Sequence, residues 1–299
     1  CRSDSIELIK DTINMGLNVS IETNGTMITE SQIKELSQYK DNLSMSISLD
    51  GITSETNNLT RGNGSFEKTF NTIKTIKKYN IPLRIITVLS DNNYDEIPKL
   101  AKTIHEEWGW GFRLLPNIIE YGKGVTANDE YGVSYPKIKK LMDDFYYDFL
   151  RKHAEDENLT IELNMAIIPI DIYRHSFCPW GKAMLGIGYS GNVALCHVAS
   201  DNDMFIFDNV KNNKISDIWK YNKKLLKFVN ENPDDLKGVC GNCLARSLCR
   251  GGCRLHAMSK YLGDFYAPDP DCQKVYDIGM FPEYALDDVE KVCNYEKWS

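Results

Sequence analysis

The first 116 residues alternate between two hydrophobic rhythms, one of period 3.6 and one of period 2, and each switch predicts a new element. Ser5–Met15 has the helical rhythm. Asn18–Glu22 is a short strand pattern closed by Thr23-Asn24-Gly25. Thr29 and Gln32 are spaced as a capping box, which predicts a helix running to about Gln38. Leu43, Met45, Ile47 and Leu49 recur at every second position, a strand that ends in Asp50-Gly51. Phe66, Phe70, Ile73 and Ile76 form one face of a helix over Ser65–Lys78. Leu83–Leu89 is an apolar strand, Asn93–Glu107 a helix and Gly111–Leu115 a further strand. The order αβαβαβαβ predicts parallel strands covered by helices, with the chemistry at the strand C-termini. Those ends carry Thr23-Asn24-Gly25, Ser48-Leu49-Asp50-Gly51, Thr87-Val88 and Pro116-Asn117.

Beyond residue 116 the rhythm weakens. Residues 117–134 are rich in Gly, Asn and Tyr and suggest a linker; Tyr135–Glu157 suggests one long helix. A turn-rich second region begins near Leu163. Within it, Ile215, Ile218, Trp219, Leu225, Leu226 and Val229 give Asn213–Asn230 a helical pattern, and Asp287–Lys297 is a short polar helix candidate. A length of 299 residues suits two domains. The formal net charge of −7, without a long basic run, argues against a nucleic-acid partner. No apolar stretch approaches the roughly 18 residues of a membrane helix, so a membrane partner is not expected either.

The cysteines change the picture most. Seven of the nine lie between Cys178 and Cys272: Cys178-x12-Gly191-x4-Cys196, then Cys240-x2-Cys243-x5-Cys249-x3-Cys253, then Cys272. Crowded thiolates suit soft metal centres, either iron–sulfur clusters or zinc. A zinc ribbon needs two cysteine pairs separated by about 12–20 residues, whereas Cys243 and Cys249 are separated by five. Seven thiols also exceed one zinc site, and clustering rather than spread stapling argues against a disulfide scaffold. The spacing therefore favours iron–sulfur ligation in a reducing, cytoplasmic compartment. Gly191, between two apolar segments in Ser190-Gly191-Asn192, predicts a hairpin turn that delivers Cys196. His175, His197 and His256 flank these cysteines and are read as solvated or packed histidines.

This cysteine series, with the text Cys249-Arg250-Gly251-Gly252-Cys253 and Ala267-Pro268-Asp269-Pro270-Asp271-Cys272, resembles the SPASM module, the auxiliary-cluster domain of radical S-adenosylmethionine (SAM) enzymes. The resemblance implies two auxiliary [4Fe-4S] clusters. Carried over, Cys178, Cys196 and Cys253 would hold the first, with a fourth position open to substrate or solvent. Cys240, Cys243, Cys249 and Cys272 would hold the second. Cys293 is a candidate fourth ligand, read more simply as a tail cysteine.

The first region resembles the later part of the radical SAM partial barrel, a (β/α)6 fold. Thr23-Asn24-Gly25 is similar to the motif after its third strand, and Ser46-Ile47-Ser48-Leu49-Asp50-Gly51 with Arg61-Gly62-Asn63-Gly64-Ser65-Phe66 to its fourth strand and following loop. By that resemblance Thr23 and Asn24 belong to the SAM site, Ser48 and Arg61 would contact SAM, with Arg61 on its carboxylate, and Asp50 would face ribose, amine or substrate. The family's Cys-x3-Cys-x2-Cys loop and Gly-Gly-Glu segment are not in this sequence, and Cys1 aligns past the loop. The expectation is an N-terminally truncated reading of a longer enzyme, unable to cleave SAM unaided.

The fold class expected is thus α/β, an incomplete (β/α)6 partial barrel followed by a small cysteine-rich α+β domain. Its expected divisions are 1–134 for the barrel, 135–177 for a linker helix and bridging segment, 178–275 for SPASM and 276–299 for a tail. The function implied is modification of a peptide or protein through a 5′-deoxyadenosyl radical, served by an external electron donor. Alternatives are tetrapyrrole side-chain processing in haem pathways and a non-catalytic, metal-stapled binding module. Trp108, Trp110 and Phe112 are candidates for a substrate face or for core.

Overall fold

A computed structural model describes residues 3–116, 118, 120–145, 149–153, 155–161 and 178–287. The chain divides into two units. The first comprises Cys1–Ile118, Thr126–Leu163 and Pro169–Arg174, and the second comprises Ile119–Val125, Asn164–Ile168 and His175–Ser299.

The first unit is built on a five-stranded, wholly parallel sheet whose strands lie side by side in chain order: β1 (Val19–Thr23), β2 (Leu43–Ser48), β3 (Leu83–Val88), β4 (Gly111–Leu115) and β5 (Leu159–Ile161). Parallel neighbours need crossovers. These contain α1 (Ser5–Asn14, ahead of β1), α2 (Glu30–Leu36), α3 (Ser54–Arg61), α4 (Ser65–Lys78), α5 (Ile97–Lys102), α6 (Lys123–Tyr131) and α7 (Tyr135–Phe145). Met45, Ile47, Ile85, Phe112 and Leu114 of the strands are fully buried, as are Ile33 and Leu36 of α2 and Ile73 and Ile76 of α4. In α4 the buried positions Thr69, Thr72, Ile73 and Ile76 follow the i, i+3, i+4, i+7 stripe that faces a sheet.

Several boundaries agree with the sequence reading. Ser65–Lys78 and Gly111–Leu115 are reproduced, and Thr29 caps α2 with Gln32 reciprocating. Others differ for identifiable reasons. The predicted helix Asn93–Glu107 is three pieces: a short 3-10 turn, α5, and a π-helical turn over Thr103–Glu107. Within the long helix expected over Tyr135–Glu157, Tyr135–Phe145 is α7 and residues 149–150 are π-helical, while residues 155–158 lead into the unforeseen strand β5. The expected linker includes α6. Trp110 and Phe112 belong to the core. The helix candidate at Asp287–Lys297 lies, apart from Asp287, outside the described residues.

Among its described residues the second unit holds a small antiparallel sheet, β6 (Gly186–Ile187), β7 (Asn192–Ala194) and β8 (Ile206–Asn209), and six short α-helices. They are α8 (Ile215–Tyr221), α9 (Lys223–Val229), α10 (Gly238–Gly241), α11 (Arg246–Cys249), α12 (Arg254–Lys260) and α13 (Pro270–Asp277). Its apolar core gathers Trp180, Val193, Leu195, Phe205, Phe207, Ile218, Leu225, Leu255 and Met258. The predicted helical stretch Asn213–Asn230 is split at Asn222, whose extended backbone ends α8 and whose side chain accepts the Leu225 N–H to cap α9. Together the units give an α/β fold: a partial barrel followed by a small cysteine-rich domain. Among the described residues no helix is long and apolar enough to cross a membrane.

Candidate functional site

At the C-terminal ends of the strands the chain makes a tightly bonded polar floor. Asp50 follows β2 and is 3% exposed. Its carboxylate accepts from Arg61 Nε at 2.6 Å, Arg61 Nη2 at 3.0 Å, Thr60 Oγ1 at 3.0 Å and the Val88 N–H at 3.0 Å. The sequence reading placed Asp50 at this end of the sheet, and here its carboxylate meets protein donors and anchors Arg61. That anchoring uses the Nε–Nη2 edge of the guanidinium and leaves the Nη1 side of a planar, always-charged fork. Asn57 accepts the Asp50 N–H at 2.9 Å, and Asn93 donates to the carbonyls of both Asp50 and Val88 at 2.9 Å. Two strand ends are thereby tied together by side chains that local sequence does not flag. Ser48, the last residue of β2, is half-buried.

After β1, Thr23 Oγ1 accepts the Gly25 N–H, and Asn24 Oδ1 accepts the Thr26 N–H and hydroxyl. Thr69 and Thr72 of α4 donate to the Asn24 and Gly25 carbonyls at 2.8 and 2.6 Å, fixing this turn against the helix. The structure therefore brings Thr23, Asn24, Ser48, Asp50 and Arg61 to one end of one sheet.

The seven described cysteines of the second unit stand as thiols rather than disulfides. They fall into two groups. A small pocket is lined by Cys240, Cys243, Cys249 and Cys272, with Val239, Arg246, Gly251 and Phe281 completing its wall. Electrostatic coupling links Cys240 with Cys249 and Cys249 with Cys243. The other group centres on Cys253, whose thiol is coupled to Cys196 and Cys178.

Burial is the main influence on these thiols. It pushes Cys240 and Cys243 upward, and it raises Cys249 and Cys253 to about 11, with the Asp269 carboxylate adding to the rise at Cys240, Cys249 and Cys253. A buried thiolate needs a compensating positive charge. The protein supplies part of it. The Asp269 N–H donates to Cys240 Sγ at 3.2 Å, and backbone N–H groups of Ala245, Gly252 and His256 serve Cys243, Cys249 and Cys253. Donors aimed at sulfur are the surroundings that tune an iron–sulfur centre. Four convergent thiols, an apolar wall and N–H donors on sulfur fit a cluster of soft metal ions.

Two residues hold this arrangement and were invisible as such in the sequence. Arg254 is 1% exposed. Its guanidinium donates to the carbonyls of Phe265 at 2.8 Å, Ala267 at 2.7 Å and Gly251, and its charge favours the thiolates of Cys240 and Cys249. Asp269 caps α13, accepting from the N–H groups of Asp271 and Cys272 at 3.1 and 3.0 Å, which sets Cys272 on the first turn. Between Cys249 and Cys253 the backbone is left-handed at Arg250, Gly251 and Gly252. A Cβ on Gly252 would overlap the Asp269 carboxylate, so glycine is required there for conformation and space. Arg250 tolerates its left-handed backbone while stacked 3.8 Å over the Trp180 ring.

The hairpin predicted at Gly191 is present. Gly191 has φ +90°, β6 and β7 pair antiparallel, and Cys196 follows two residues after β7 at the start of a 3-10 turn. His197 is exposed, as read. His256 is 2% exposed, and its Nε2 has no hydrogen-bond partner. His175 and Cys293 lie outside the described residues.

Comparison with known proteins follows the same division. Residues 1–104 match the radical SAM superfamily and residues 178–244 match SPASM, an iron–sulfur cluster-binding domain. An AdoMet-dependent heme synthase from Methanosarcina barkeri is 27% identical over 297 residues, covering 91% of this chain and 78% of the relative. A PqqA peptide cyclase from Rhizobium meliloti is 26% identical over 286 residues, covering 91% and 70%. Among solved structures, anSMEcpe with bound AdoMet and Kp18Cys peptide superposes with a TM-score of 0.65 at 20% identity, covering 91% of this chain and 78% of that one. Streptococcus suis SuiB bound to precursor peptide SuiA gives 0.67 at 18%, covering 91% and 62%. At such identities the structural likeness establishes the fold. Together with the two family matches, it shows that the chain belongs to the radical SAM enzymes carrying a SPASM domain, the group that includes peptide maturases and haem synthases.

Proposed function

We propose that this chain contributes the SAM-holding strand ends and both auxiliary-cluster sites of an enzyme that modifies a peptide or protein substrate. The observation that carries the reading is the complete set of seven thiols, four around one cavity and three coupled about Cys253. When bound, SAM and four-iron clusters supply carbon-radical and one-electron chemistry; the protein's task is binding, orientation and exclusion of side reactions.

In this reading Ser48 and Arg61 hold SAM, with the guanidinium directed at its carboxylate. Asp50 is a positioning residue that fixes the plane of Arg61, and Thr23 and Asn24 shape the turn beside it. Cys240, Cys243, Cys249 and Cys272 hold one auxiliary cluster. Cys178, Cys196 and Cys253 hold another, with one iron position left for substrate or solvent. An external donor supplies electrons. The peptide assignment draws on the PqqA peptide cyclase and mycofactocin maturase relatives, and on the retention of all seven thiols. A second reading, tetrapyrrole side-chain modification, is favoured by the 27% identity to the Methanosarcina barkeri haem synthase.

Anaerobic reconstitution with iron and sulfide, followed by metal analysis, tests the cluster assignment: two four-iron clusters require about eight irons per chain. Zinc uptake with no iron would leave a metal-stapled binding module. Substrate class is read on the reconstituted protein by tryptophan fluorescence. Saturable binding of a short peptide encoded beside the gene supports maturation. Saturable binding of a propionate-bearing porphyrin, without peptide binding, replaces it with the tetrapyrrole reading.

A further inference from the structure

A second group of metal-ligating side chains lies in the first unit, at the opposite end of the sheet from Asp50 and Arg61. His105 sits on the π-helical turn Thr103–Glu107 that precedes β4, and His153 and Asp156 sit on the segment that precedes β5. One ligand atom from each of the three lies within 4.8 Å of the others. π-helical turns are uncommon and concentrate at functional positions.

The hydrogen bonds specify what the imidazoles offer. His105 Nδ1 contacts the Trp110 carbonyl at 3.3 Å. A carbonyl only accepts, so Nδ1 carries the proton and Nε2 of a neutral ring presents its lone pair. That lone pair faces Asp156 Oδ2 at 3.2 Å. Two lone pairs at this distance repel unless a positive charge lies between them. His153 Nε2 lies 3.0 Å from Glu106 Oε1. The carboxylate is again the acceptor, so Nε2–H is fixed and Nδ1 is the lone-pair nitrogen. Backbone carbonyl to imidazole and carboxylate to imidazole are the outer-shell contacts that orient histidine ligands of metals. Asp156 is oriented too, since its Oδ1 accepts the Asn158 N–H at 2.8 Å, leaving Oδ2 toward His105.

The His105 side chain is 6% exposed, and its ring lies edge-on to that of His153, with centroids 4.7 Å apart. One divalent ion would satisfy the His105 lone pair and the Asp156 carboxylate at once, with a ring nitrogen of His153 within 4.8 Å to join them. The spacing suits zinc: tetrahedral bonds of about 2.0–2.2 Å put neighbouring ligand atoms roughly 3.3 Å apart, and His105 Nε2 and Asp156 Oδ2 are already 3.2 Å apart. Phe149 packs against both rings, at 5.8 and 4.8 Å between centroids, and restricts their rotation.

We infer that His105, His153 and Asp156 form a zinc site, with water or Glu106 in the fourth position. It is structural rather than catalytic, because Trp110 and Asn158 precede β4 and β5 whereas Asp50 and Val88 lie at strand C-termini. The ion clips the π turn before β4 to the turn before β5, and so holds the three-residue edge strand in register.

The test uses the full chain after anaerobic reconstitution, with the thiols occupied by iron and sulfide, and titrates zinc chloride against a chromophoric chelator. One zinc per chain at micromolar or lower concentration is expected, with a zinc-edge absorption spectrum fitted by nitrogen and oxygen only. His153→Gln and Asp156→Asn, both at partly exposed positions, should each weaken zinc binding at least 10-fold while leaving iron content and far-ultraviolet circular dichroism unchanged. Zinc should raise the melting temperature of the wild type and of neither variant. No zinc uptake, sulfur in the zinc shell, or unchanged affinity in both variants overturns the site.

Discussion

Replacing Arg254 by methionine isolates the contribution of one buried cation to the cluster domain. Methionine fills most of the same space, so the change removes donors and charge more than volume. Three carbonyls lose their partner, those of Gly251, Phe265 and Ala267. The Phe265 bond is only part-buried and its carbonyl regains water. The other two bonds are buried, and each orphaned carbonyl costs about 1–3 kcal/mol, a sum of about 2–6 kcal/mol. Removing an arginine that is 1% exposed also removes its own desolvation cost, which draws the expectation toward the lower half of that range. Measured against a domain stability of order 5–15 kcal/mol, the loss is large. Anaerobic urea unfolding followed by tryptophan fluorescence, with Trp180 buried in the affected core, should show a midpoint lowered by about 1–2 M. Iron content should fall as well, because Cys240 and Cys249 lose a nearby positive charge. Arg254→Lys, which keeps the charge but not the fork, should lie between. A methionine variant with the wild-type midpoint and full iron would refute the assignment of Arg254 as the brace of this loop.

Three further outcomes are expected. Gly252→Ala should displace Asp269 and release Cys272, lowering iron from about eight to about four per chain, as read by metal analysis. Asp50→Asn leaves Arg61 without its counter-charge; with Arg61 partly exposed and able to turn to water, thermal unfolding should report a loss of about 2–3 kcal/mol, below the usual range for a wholly buried pair. Thr29→Ala removes a reciprocal cap on α2 and should cost about 1 kcal/mol, visible as a drop of about 2–4 °C in melting temperature with no change in iron content.

The long, regular elements were legible because their cause is local. The Phe66–Ile76 stripe, the Thr29–Gln32 cap and the Leu43–Leu49 alternation each carry their own signal, and the structure places helix, cap and strand there. The missed elements have none. The α3 helix, SETNNLTR, offers one large apolar residue and no stripe. The α6 helix begins beside Gly122 and contains Gly124, which reads as loop. β5 is three residues long and exists because β4 offers an edge. In the site, the spacing marked the thiols as metal-ligating, and their sorting into two sets came from the family resemblance alone. The roles of Arg254 and Asp269 did not, because each depends on partners brought together only by folding. A carboxylate after a strand reads as ligand-facing, and only the structure shows the four protein donors around Asp50.

The five parallel strands lie in the sheet in the order in which they occur in the chain. A sheet of this kind never has to open to admit a later strand between two earlier ones. Every docking surface needed by the next strand belongs to the segment just finished, so pairing stays as local as parallel topology permits. During synthesis the sheet can grow from a single advancing edge, with β1 to β4 assembled before the ribosome has made the first cysteine of the downstream domain. Pairing of β1 to β4 is thereby uncoupled from the iron and sulfide that the downstream cysteines take up, and a shortage at those cysteines should leave the strands paired beside an unfinished cysteine domain.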